Sequence, residues 1–515
     1  MKNLRPLVIM ALLATSVAPA LAVQPSHAKA PQAKATAPPI PFIPDAVTKH
    51  TISLNGKTIA YTARAGTIQL RNKNHQPTAR MFYVAYTKDH ADAMKRPITF
   101  LYNGGPGSSS MWLAMGSWGP VRVRIGNGTL TGPPPYQIVT NKYSLLNKTD
   151  LVFIDMPDSG FGRIDGVGKP KDFFGVDQDV AAFGQFVARY LSKFDRWNSP
   201  KFLYGESYGT TRSAALVNYL QNKGVGINGV VLQSSILNFG LDFTNASPIG
   251  GGDWPYAFYL PTEAATAWYH NALPKRPAKF KPFLAQVVHF AMHTYMTALA
   301  RGAQISPAQY NTVVAKLHEF TGLPPQYIRN NNLRVPYWRF ESELLRGQDM
   351  EVGRLDSRFE TPSTNQVENS PRWDPTDAAI DYPFTTAVNS YLRHTLKYHS
   401  PLRYRTQVYG IIQKSGGWDN THRHNPTTNV APDLADAMSY NPSLKIFSAN
   451  GYFDFATPFL ATVYTLNHLG IKPSLLKNIT YGFYPSGHMI YIAPRALKLY
   501  HAALERWYST TLAGR

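Results

Sequence analysis

Short apolar runs that alternate with amphipathic helical patterns are the feature that most limits how this chain can fold. Two stretches between such runs, DVAAFGQFVARYLSKF and TTRSAALVNYLQNK, carry apolar residues at helical spacing. Because parallel strands are joined by helical crossovers, this order predicts an α/β protein with a mostly parallel central sheet. The runs that predict buried strands are PITFLYNGG, DLVFIDMP, KFLYGES, GVVLQSS, LKIFSANG and NITYGFYP.

Two further patterns predict how the chain is divided. Before the parallel part, polar and apolar residues alternate on both sides of Asn55-Gly56, which predicts antiparallel strands from about Thr48. After it, the strand pattern gives way to apolar residues at helical spacing. We therefore predict a core in two parts, with a largely helical insertion that forms a lid over the site. The predicted ranges are 46–253 and 402–515 for the core and 254–401 for the insertion.

The first residues of the chain have the composition of an export signal. Lys2 and Arg5 precede a short apolar stretch that ends in a small-residue cleavage pattern, which predicts a signal peptide over residues 1–22. A membrane anchor is the alternative, but Pro19 interrupts the stretch and it is short for a span. Residues 23–45 are rich in Ala, Pro and Lys and predict an extended linker. We expect an exported protein, periplasmic or secreted, without stable membrane insertion.

Composition excludes several kinds of chemistry. A hydrophobic fraction of 44% with 16% charged residues is typical of a folded globular protein. The chain has no cysteine, so disulfides, a thiolate nucleophile and cysteine-ligated metals are excluded. The formal charge of +21 could favour binding to nucleic acid, binding to an anionic surface, or simply solubility. Since no Lys/Arg cluster or nucleic-acid motif accompanies it, we predict no nucleic-acid partner.

Three motifs suggest a cofactor or a metal, and none has the required context. Residues 224–229 match G-x-G-x-x-G, but they follow a predicted helix and precede a strand, the reverse of a dinucleotide site. His289 and His293 share a predicted helix, where a phenylalanine replaces the glutamate of a zinc peptidase. His422 and His424 lie in a polar loop with no third ligand evident. We predict no metal and no cofactor.

Ser207 is the predicted nucleophile. It lies at the centre of Gly205–Gly209, a G-x-S-x-G pattern between the apolar run KFLY and a helical pattern. A sharp strand-to-helix turn needs small residues on both sides and exposes the serine hydroxyl. The alternative is a small residue at an ordinary turn, because the bare pattern occurs often by chance. The strand before it and the helix after it favour the nucleophile.

A serine nucleophile needs a base, and the base needs an acid that orients it. Asp454 follows the predicted strand LKIFSANG, and His488 follows the next one, NITYGFYP. Each residue alone is common in a loop. Together they stand in the order Ser, Asp, His and on successive strand ends, which predicts a triad of Ser207, Asp454 and His488.

The glycines of YNGGPGSSS, which follow the strand PITFL, predict an oxyanion hole. Glycines allow backbone N–H groups to approach a developing oxyanion, and the second donor is the residue after the nucleophile. We assign the two donors to Gly105 and Tyr208. The alternative is a tight turn at Pro106 that binds no ligand.

Together these motifs resemble the serine carboxypeptidase family: N-G-G-P-G-x-S, G-E-S-Y-G, a G-x-x-D strand end, G-H-M and the segment FIDMPDSGFG. The matching motifs extend from about Ile98 to Met489. The resemblance implies an α/β-hydrolase core with a helical insertion near the site. It also implies that Asn103 and Glu206 hydrogen-bond the terminal carboxylate of a peptide substrate, and it leads us to expect an exported, cysteine-free bacterial member.

The chain departs from the family pattern at several positions. Ser108 stands where many relatives have cysteine, Leu101 where they often have tryptophan, and Tyr491 where they have proline. Ser117 stands where the family has a second glutamate that pairs with Glu206. The triad is unaffected, whereas the side-chain preference of the substrate pockets stays open.

The leading hypothesis is a serine carboxypeptidase that hydrolyses the C-terminal residue of peptides through an acyl-enzyme. An esterase or acyltransferase with the same triad is an alternative, because this scaffold supports many acyl transfers. The predicted carboxylate-binding pair, Asn103 and Glu206, favours the peptidase. A binding protein of the cell envelope whose site no longer turns over is a third hypothesis, which the intact triad disfavours.

Overall fold

A ten-stranded sheet runs through the protein. The computed structural model describes residues 40–242 and 252–513, and the strands and helices of these residues lie in the unit that begins at Phe42. The predicted signal peptide and most of the predicted linker lie outside the described residues. The strands are β1 Ala46–Leu54, β2 Lys57–Arg71, β3 Pro77–Lys88, β4 Ile98–Tyr102, β5 Val121–Val123, β6 Ile138–Thr140, β7 Asp150–Ile154, β8 Arg163–Ile164, β9 Lys201–Ser207, β10 Gly229–Ser235, β11 Met350–Val352, β12 Glu360–Pro362, β13 Lys445–Gly451 and β14 Ile479–Tyr484.

The helices are unevenly distributed along the chain. Six of them, α4 to α9, follow one another between β10 and β11 without an intervening strand. They are α1 Met111–Gly116, α2 Val176–Lys193, α3 Tyr208–Gln221, α4 Trp254–Tyr269, α5 Phe280–His289, α6 Met296–Arg301, α7 Pro307–Thr321, α8 Pro325–Asn330, α9 Tyr337–Glu343, α10 Pro375–Ser390, α11 Tyr409–Lys414, α12 Ala431–Tyr440, α13 Phe459–Asn467, α14 Pro473–Leu476 and α15 Pro494–Ala513. Among the described residues, no helix has the length and hydropathy needed to cross a membrane.

The order of the strands identifies the fold. Neighbouring strands follow the order β1-β2-β3-β7-β4-β9-β10-β13-β14, and β8 pairs with β3. All pairs from β7 to β14 are parallel, whereas β1, β2 and β3 pair antiparallel with one another, as does β3 with β7. This mostly parallel sheet confirms the predicted α/β class, and a nucleophile turn at the end of a central strand is typical of the α/β-hydrolase fold.

The predicted opening hairpin is also confirmed. Asn55 and Gly56 have positive φ angles of 53° and 76°, and they join β1 to β2 as a two-residue turn. Both central residues of such a turn need a left-handed backbone, which asparagine and glycine adopt at low cost.

Both faces of the sheet are covered by apolar side chains. Along β9, Phe202 and Tyr204 pack into one core with residues of α15, whereas Leu203 packs into a second core with residues of α2 and α3. This alternation along a strand that is buried on both faces is the reason the run KFLY is apolar throughout. It also fixes the carboxyl end of β9 between two helical layers.

The helical region from α4 to α9 has a third apolar core, which the side chains of Phe453 and Phe455 join from the loop after β13. Two details differ from the sequence prediction. A two-stranded ribbon, β11-β12, follows α9 within the predicted insertion of residues 254–401, and a π-helical turn over Phe290–Tyr295 divides a stretch predicted as one helix. A second unpredicted ribbon, β5-β6, precedes β7.

Candidate active site

Ser207 lies at the junction of β9 and α3, where the chain turns sharply. Its backbone has φ 60° and ψ −130°, a conformation that non-glycine residues rarely adopt and that costs about 1–3 kcal/mol unless the surroundings enforce it. A Cβ atom at Gly205 would collide with the carbonyl group of Gly209. The two glycines of the G-x-S-x-G pattern are therefore required by close backbone contact, and the serine is held at the carboxyl edge of the sheet.

Asp454 and His488 lie side by side at the same edge. Asp454 follows β13 and is fully buried, and its Oδ2 atom is 2.9 Å from His488 Nδ1. The backbone N–H groups of Ala456 and Thr457 donate to Asp454 Oδ1 at 2.8 and 2.9 Å. The Thr457 hydroxyl donates to Asp454 Oδ2 at 2.7 Å. Three donors besides the imidazole therefore hold this carboxylate in place against His488.

His488 is 4% exposed, and its pKa follows from two opposing effects. Burial alone would lower the pKa of the imidazole, but the Asp454 carboxylate raises it above the ordinary value. Ser207 and His488 line one cavity, although no hydrogen bond joins their side chains within the described ranges. Such contacts are often long in a free enzyme and shorten when substrate binds.

The loop after β4 places Gly105 beside the start of α3. A Cβ atom at Gly104 would collide with the backbone nitrogen of Tyr208, so the loop and the helix N-terminus are in close contact. Gly105 has a positive φ of 113° and lines the cavity together with Tyr208. Asp155 fixes the far end of the loop, because its Oδ1 atom accepts the Ser110 N–H at 2.6 Å.

Asn103 and Glu206 contact each other directly. Asn103 Nδ2 donates to Glu206 Oε1 at 2.8 Å, and Asn103 Oδ1 accepts the Leu113 N–H at 3.0 Å, which fixes the orientation of the amide. Both residues are less than 5% exposed, and both line the cavity. Burial raises the pKa of Glu206 to about 7, and the opposing charge of His488 limits the rise.

Three residues at the site were not predicted from the sequence. Gln233, on β10, donates from Nε2 to Glu206 Oε2 at 2.8 Å, and Thr457 holds Asp454 as described. Tyr491 lies close enough to influence the pKa of Glu206. The buried hydroxyl of Ser117 donates to the Leu113 carbonyl at 2.7 Å. A polar residue within the apolar run GVVLQSS was the available signal for Gln233, but only the strand pairing shows its partner.

The cavity at this edge has a volume of about 370 Å³. Besides the predicted site residues, its wall includes Arg354 and Asp377. Burial, together with the neighbouring Asp374 carboxylate, raises the pKa of Asp377 to about 7. Two larger cavities, of about 570 and 630 Å³, contain none of the predicted site residues. The seven predicted residues that line the 370 Å³ cavity or support it are Asn103, Gly105, Glu206, Ser207, Tyr208, Asp454 and His488.

The histidines considered as metal ligands have other surroundings. His289 and His293 are exposed on the helical region, with ring centres 4.5 Å apart. His422 is held between two carboxylates, with Nδ1 at 2.6 Å from Asp177 and Nε2 at 2.7 Å from Asp433. Among the described residues, no group of three potential ligands could hold a metal ion. The glycine motif of residues 224–229 is the predicted turn between α3 and β10.

Comparison with known proteins supports the family resemblance. Residues 57–251 match the family described as serine carboxypeptidase, a range that contains Asn103 and Ser207 but neither Asp454 nor His488. A serine carboxypeptidase family member of Dictyostelium discoideum is 24% identical over 173 residues, which is 33% of this chain and 38% of that protein. A carboxypeptidase Y homolog of Arthroderma benhamiae is 33% identical over 129 residues, which is 25% of this chain and 23% of that protein.

The aligned segments thus span well under half the length of these relatives. Among solved structures, a proline iminopeptidase of Mycobacterium smegmatis is similar at 12% identity and a TM-score of 0.37, over 87% of this chain and 99% of that one.

Proposed function

From its similarity to the serine carboxypeptidase family over residues 57–251, we propose that this chain is a serine hydrolase that removes the C-terminal residue of peptides. The observation that carries the proposal is the pair of Asn103 and Glu206, buried next to Ser207 in the same cavity. A hydrolase of simple esters has no use for a buried acid and amide beside its nucleophile, whereas a peptidase that selects chain ends needs groups that bind a carboxylate.

The chemical steps follow from the positions of the triad. Ser207 Oγ attacks the last peptide carbonyl and gives its proton to His488 Nε2, which passes it to the departing amino group. The C–N bond breaks, and the acyl group stays on Ser207. His488 then deprotonates a water molecule, which attacks the ester and regenerates the serine. Asp454 holds Nδ1 and stabilises the imidazolium, and the N–H groups of Gly105 and Tyr208 bind the developing oxyanion.

The terminal carboxylate of the substrate is bound on the side of the leaving residue. An ionised Glu206 would repel this carboxylate, whereas neutral Glu206 donates a hydrogen bond to it. Asn103 Nδ2 carries a second hydrogen, besides the one on Glu206, that a substrate oxygen can accept. A pKa of Glu206 raised by burial to about 7 supports this role, because the neutral form is then populated up to neutral pH.

The nucleophile is tested by labelling with a fluorophosphonate, followed by peptide mapping of the adduct. We expect the label on Ser207 in the wild-type protein and none on S207A, and we expect only the wild type to release the last residue from N-blocked dipeptides. Full activity of purified S207A would exclude the serine mechanism. A labelled protein that releases no residue from peptides but hydrolyses esters would favour the esterase.

Two broader features are part of the proposal. The predicted insertion of residues 254–401 acts as a lid. This is supported by Phe453 and Phe455, on either side of Asp454, which pack into the apolar core of α4 to α9. Export of the protein is supported by the charged and apolar pattern of residues 1–22. Truncation of this segment with measurement of the protein in cells and in the medium tests export.

A further inference from the structure

We propose that Gln233 is a positioning residue for the carboxylate-binding pair: its amide fixes the carboxyl group of Glu206 and joins it to the backbone of His488. The inference rests on the proposed function, since it concerns how the same site holds a terminal carboxylate. It adds a residue that the family motifs do not include, and it names a hydrogen-bond partner of Glu206 in a chain where Ser117, at the position of the family's second glutamate, donates to the Leu113 carbonyl.

The sheet itself brings these groups together. Gln233 on β10 is the direct register partner of Glu206 on β9, and its side chain is fully buried. Its Nε2 atom donates to Glu206 Oε2 at 2.8 Å and lies 3.2 Å from the carbonyl oxygen of His488. One amide group therefore uses both of its hydrogens, one on the acid and one on the backbone of the proposed base.

The orientation of the Gln233 amide is fixed by a chain of hydroxyl groups. The Tyr204 hydroxyl donates to Gln233 Oε1 at 2.6 Å, and it lies 2.7 Å from the Tyr500 hydroxyl. Because Tyr204 already uses its only hydrogen, Tyr500 must donate to it. The amide nitrogen of Gln233 can then point only toward Glu206 and His488, which are acceptors. A polar network with every member satisfied is rigid, so the carboxyl group has one position.

Gln233 is neutral, so Glu206 is the one acid that titrates among the three hydrogen-bonded side chains of Asn103, Glu206 and Gln233. The side-chain amides of Asn103 and Gln233 each donate to one oxygen of Glu206. Both hydrogen bonds favour the ionised carboxylate, so they oppose the rise in pKa that burial causes. A second acid in place of either amide would instead share a proton with Glu206. Among the described residues, the titratable groups that influence Glu206 include His488, which lowers its pKa, Asp454, which raises it, and Tyr491, which lowers it, and Glu206 in turn acts on the hydroxyl groups of Tyr204 and Tyr500.

The first test replaces the amide with an apolar side chain of similar shape, Gln233→Met. KM for an N-blocked dipeptide acid is measured from pH 4.5 to 9. At acid pH, where Glu206 is neutral in both proteins, we expect KM to rise about 10-fold, the usual effect of losing one buried hydrogen bond. The pH at which KM begins to rise should move up by about one unit, because the ionised form has lost a donor. A merely structural role would not move this midpoint.

Ser234→Ala is the matched control. The Ser234 hydroxyl donates to the same His488 carbonyl at 2.6 Å, and within the described part of the chain it makes no hydrogen bond to Glu206. If Gln233 acts through Glu206, S234A keeps the acid-pH KM and the midpoint of the wild type. If S234A reproduces both changes of Q233M, the effect passes through the His488 backbone and the assignment of Gln233 to the carboxylate site is wrong.

Gln233→Glu provides a second, independent test that does not depend on whether Q233M folds. It places a carboxyl group within hydrogen-bonding distance of Glu206, so the two acids share protons and titrate as a pair. We expect the two acids to lose their protons in two separate steps, so the rise of KM with pH should be displaced from the single wild-type transition. A wild-type slope and midpoint in Q233E would overturn the inference.

The outcomes separate this inference from the proposed function. If the wild type prefers a peptide acid to its amide but Q233M and Q233E behave like the wild type, Gln233 is not the positioning residue and the function stands. If the wild type itself turns over acid and amide equally, the carboxylate site is absent and both proposals fail.

Discussion

The buried acids at the carboxyl edge of the sheet differ from the buried acids of the helical region in how their oxygens are satisfied. Asp454 accepts from four donors, and Glu206 accepts one amide hydrogen on each oxygen. In the helical region, Glu263 on α4 and Glu341 on α9 are 5% and 3% exposed, yet within the described residues the Oε1 atom of each has no hydrogen-bond partner.

This difference separates two uses of a buried acid. Burial without donors leaves the neutral form as the stable one, and it raises the pKa of Glu263 to about 8 and that of Glu341 well above its ordinary value. Donors at the sheet edge hold the carboxyl groups of Asp454 and Glu206 in fixed positions. The carboxyl edge of the sheet thus orients its buried acids through hydrogen-bond donors, whereas within the described residues Glu263 and Glu341 each keep one oxygen without a donor, which favours their neutral form.

The largest expected effect comes from changing one acid on each side of the comparison. Asp454→Asn removes the charge that orients and stabilises the imidazolium, and we expect kcat to fall about 10⁴-fold. Glu263→Gln, an equally conservative change of a buried acid, should leave kcat within about twofold because it lies outside the triad. Steady-state kinetics on an N-blocked dipeptide acid measures both. A comparable loss of kcat in the two variants would break the comparison.

Glu206→Gln sharpens the comparison at the sheet edge itself. The wild-type Glu206, with a pKa near 7, loses its proton as pH rises and can then no longer donate to the substrate, so KM should rise with pH. Glutamine donates at every pH, and E206Q should therefore show a KM that is nearly independent of pH between 6 and 9. If the KM of E206Q rises with pH as steeply as that of the wild type, another group titrates and Glu206 is not the acid that binds the substrate carboxylate.

The smallest effect is on stability and concerns the helical region. The pKa of Glu263 is raised from 4.5 to about 8 by burial, so the folded state binds a proton that the unfolded state has lost. This contribution is fully present below pH 4.5 and is lost as pH rises toward 8, with a slope of up to about 1.4 kcal/mol per pH unit. Glu263→Gln should remove that slope.

Urea unfolding at several pH values between 5 and 8.5 measures this change. Glu319→Gln is the matched control, since Glu319 is an exposed acid of the same helical region that pairs with Lys316. We expect E319Q to keep the wild-type pH dependence. If the free energy of unfolding of E263Q changes with pH as steeply as that of the wild type, Glu263 is not the acid that causes this pH dependence.

The parallel core was predictable from the sequence because its inner strands, β4, β7, β9, β10 and β13, are buried on both faces. Each strand is then a continuous apolar run, and Ser207 stands at the end of one of them, inside a motif whose glycines are required by contact. Asp454 and His488 also follow strand ends, which places them at one edge of the sheet. Whether a residue follows the end of a strand depends on its immediate neighbours in the chain, so it can be predicted from the sequence.

The features that were missed depend on contacts between distant segments. Gln233 meets Glu206 only through the pairing of β10 with β9, and a single polar residue in an apolar run does not show its register. The ribbon of β11 and β12 has three residues in each strand, too few for a periodic pattern. The π-helical turn at Phe290–Tyr295 leaves the helical spacing of apolar residues nearly unchanged, so it gave no signal.

The central claim is that the edge holding Ser207 recognises a free chain end. Its most direct test is the ratio of kcat/KM for one N-blocked dipeptide presented as the C-terminal acid and as the C-terminal amide, at a pH near 5.5 where Glu206 is neutral. We expect the acid to be preferred by at least about 10²-fold, because an amide leaves the buried polar groups of Asn103 and Glu206 imperfectly paired. Equal kcat/KM values for the acid and the amide would contradict the account.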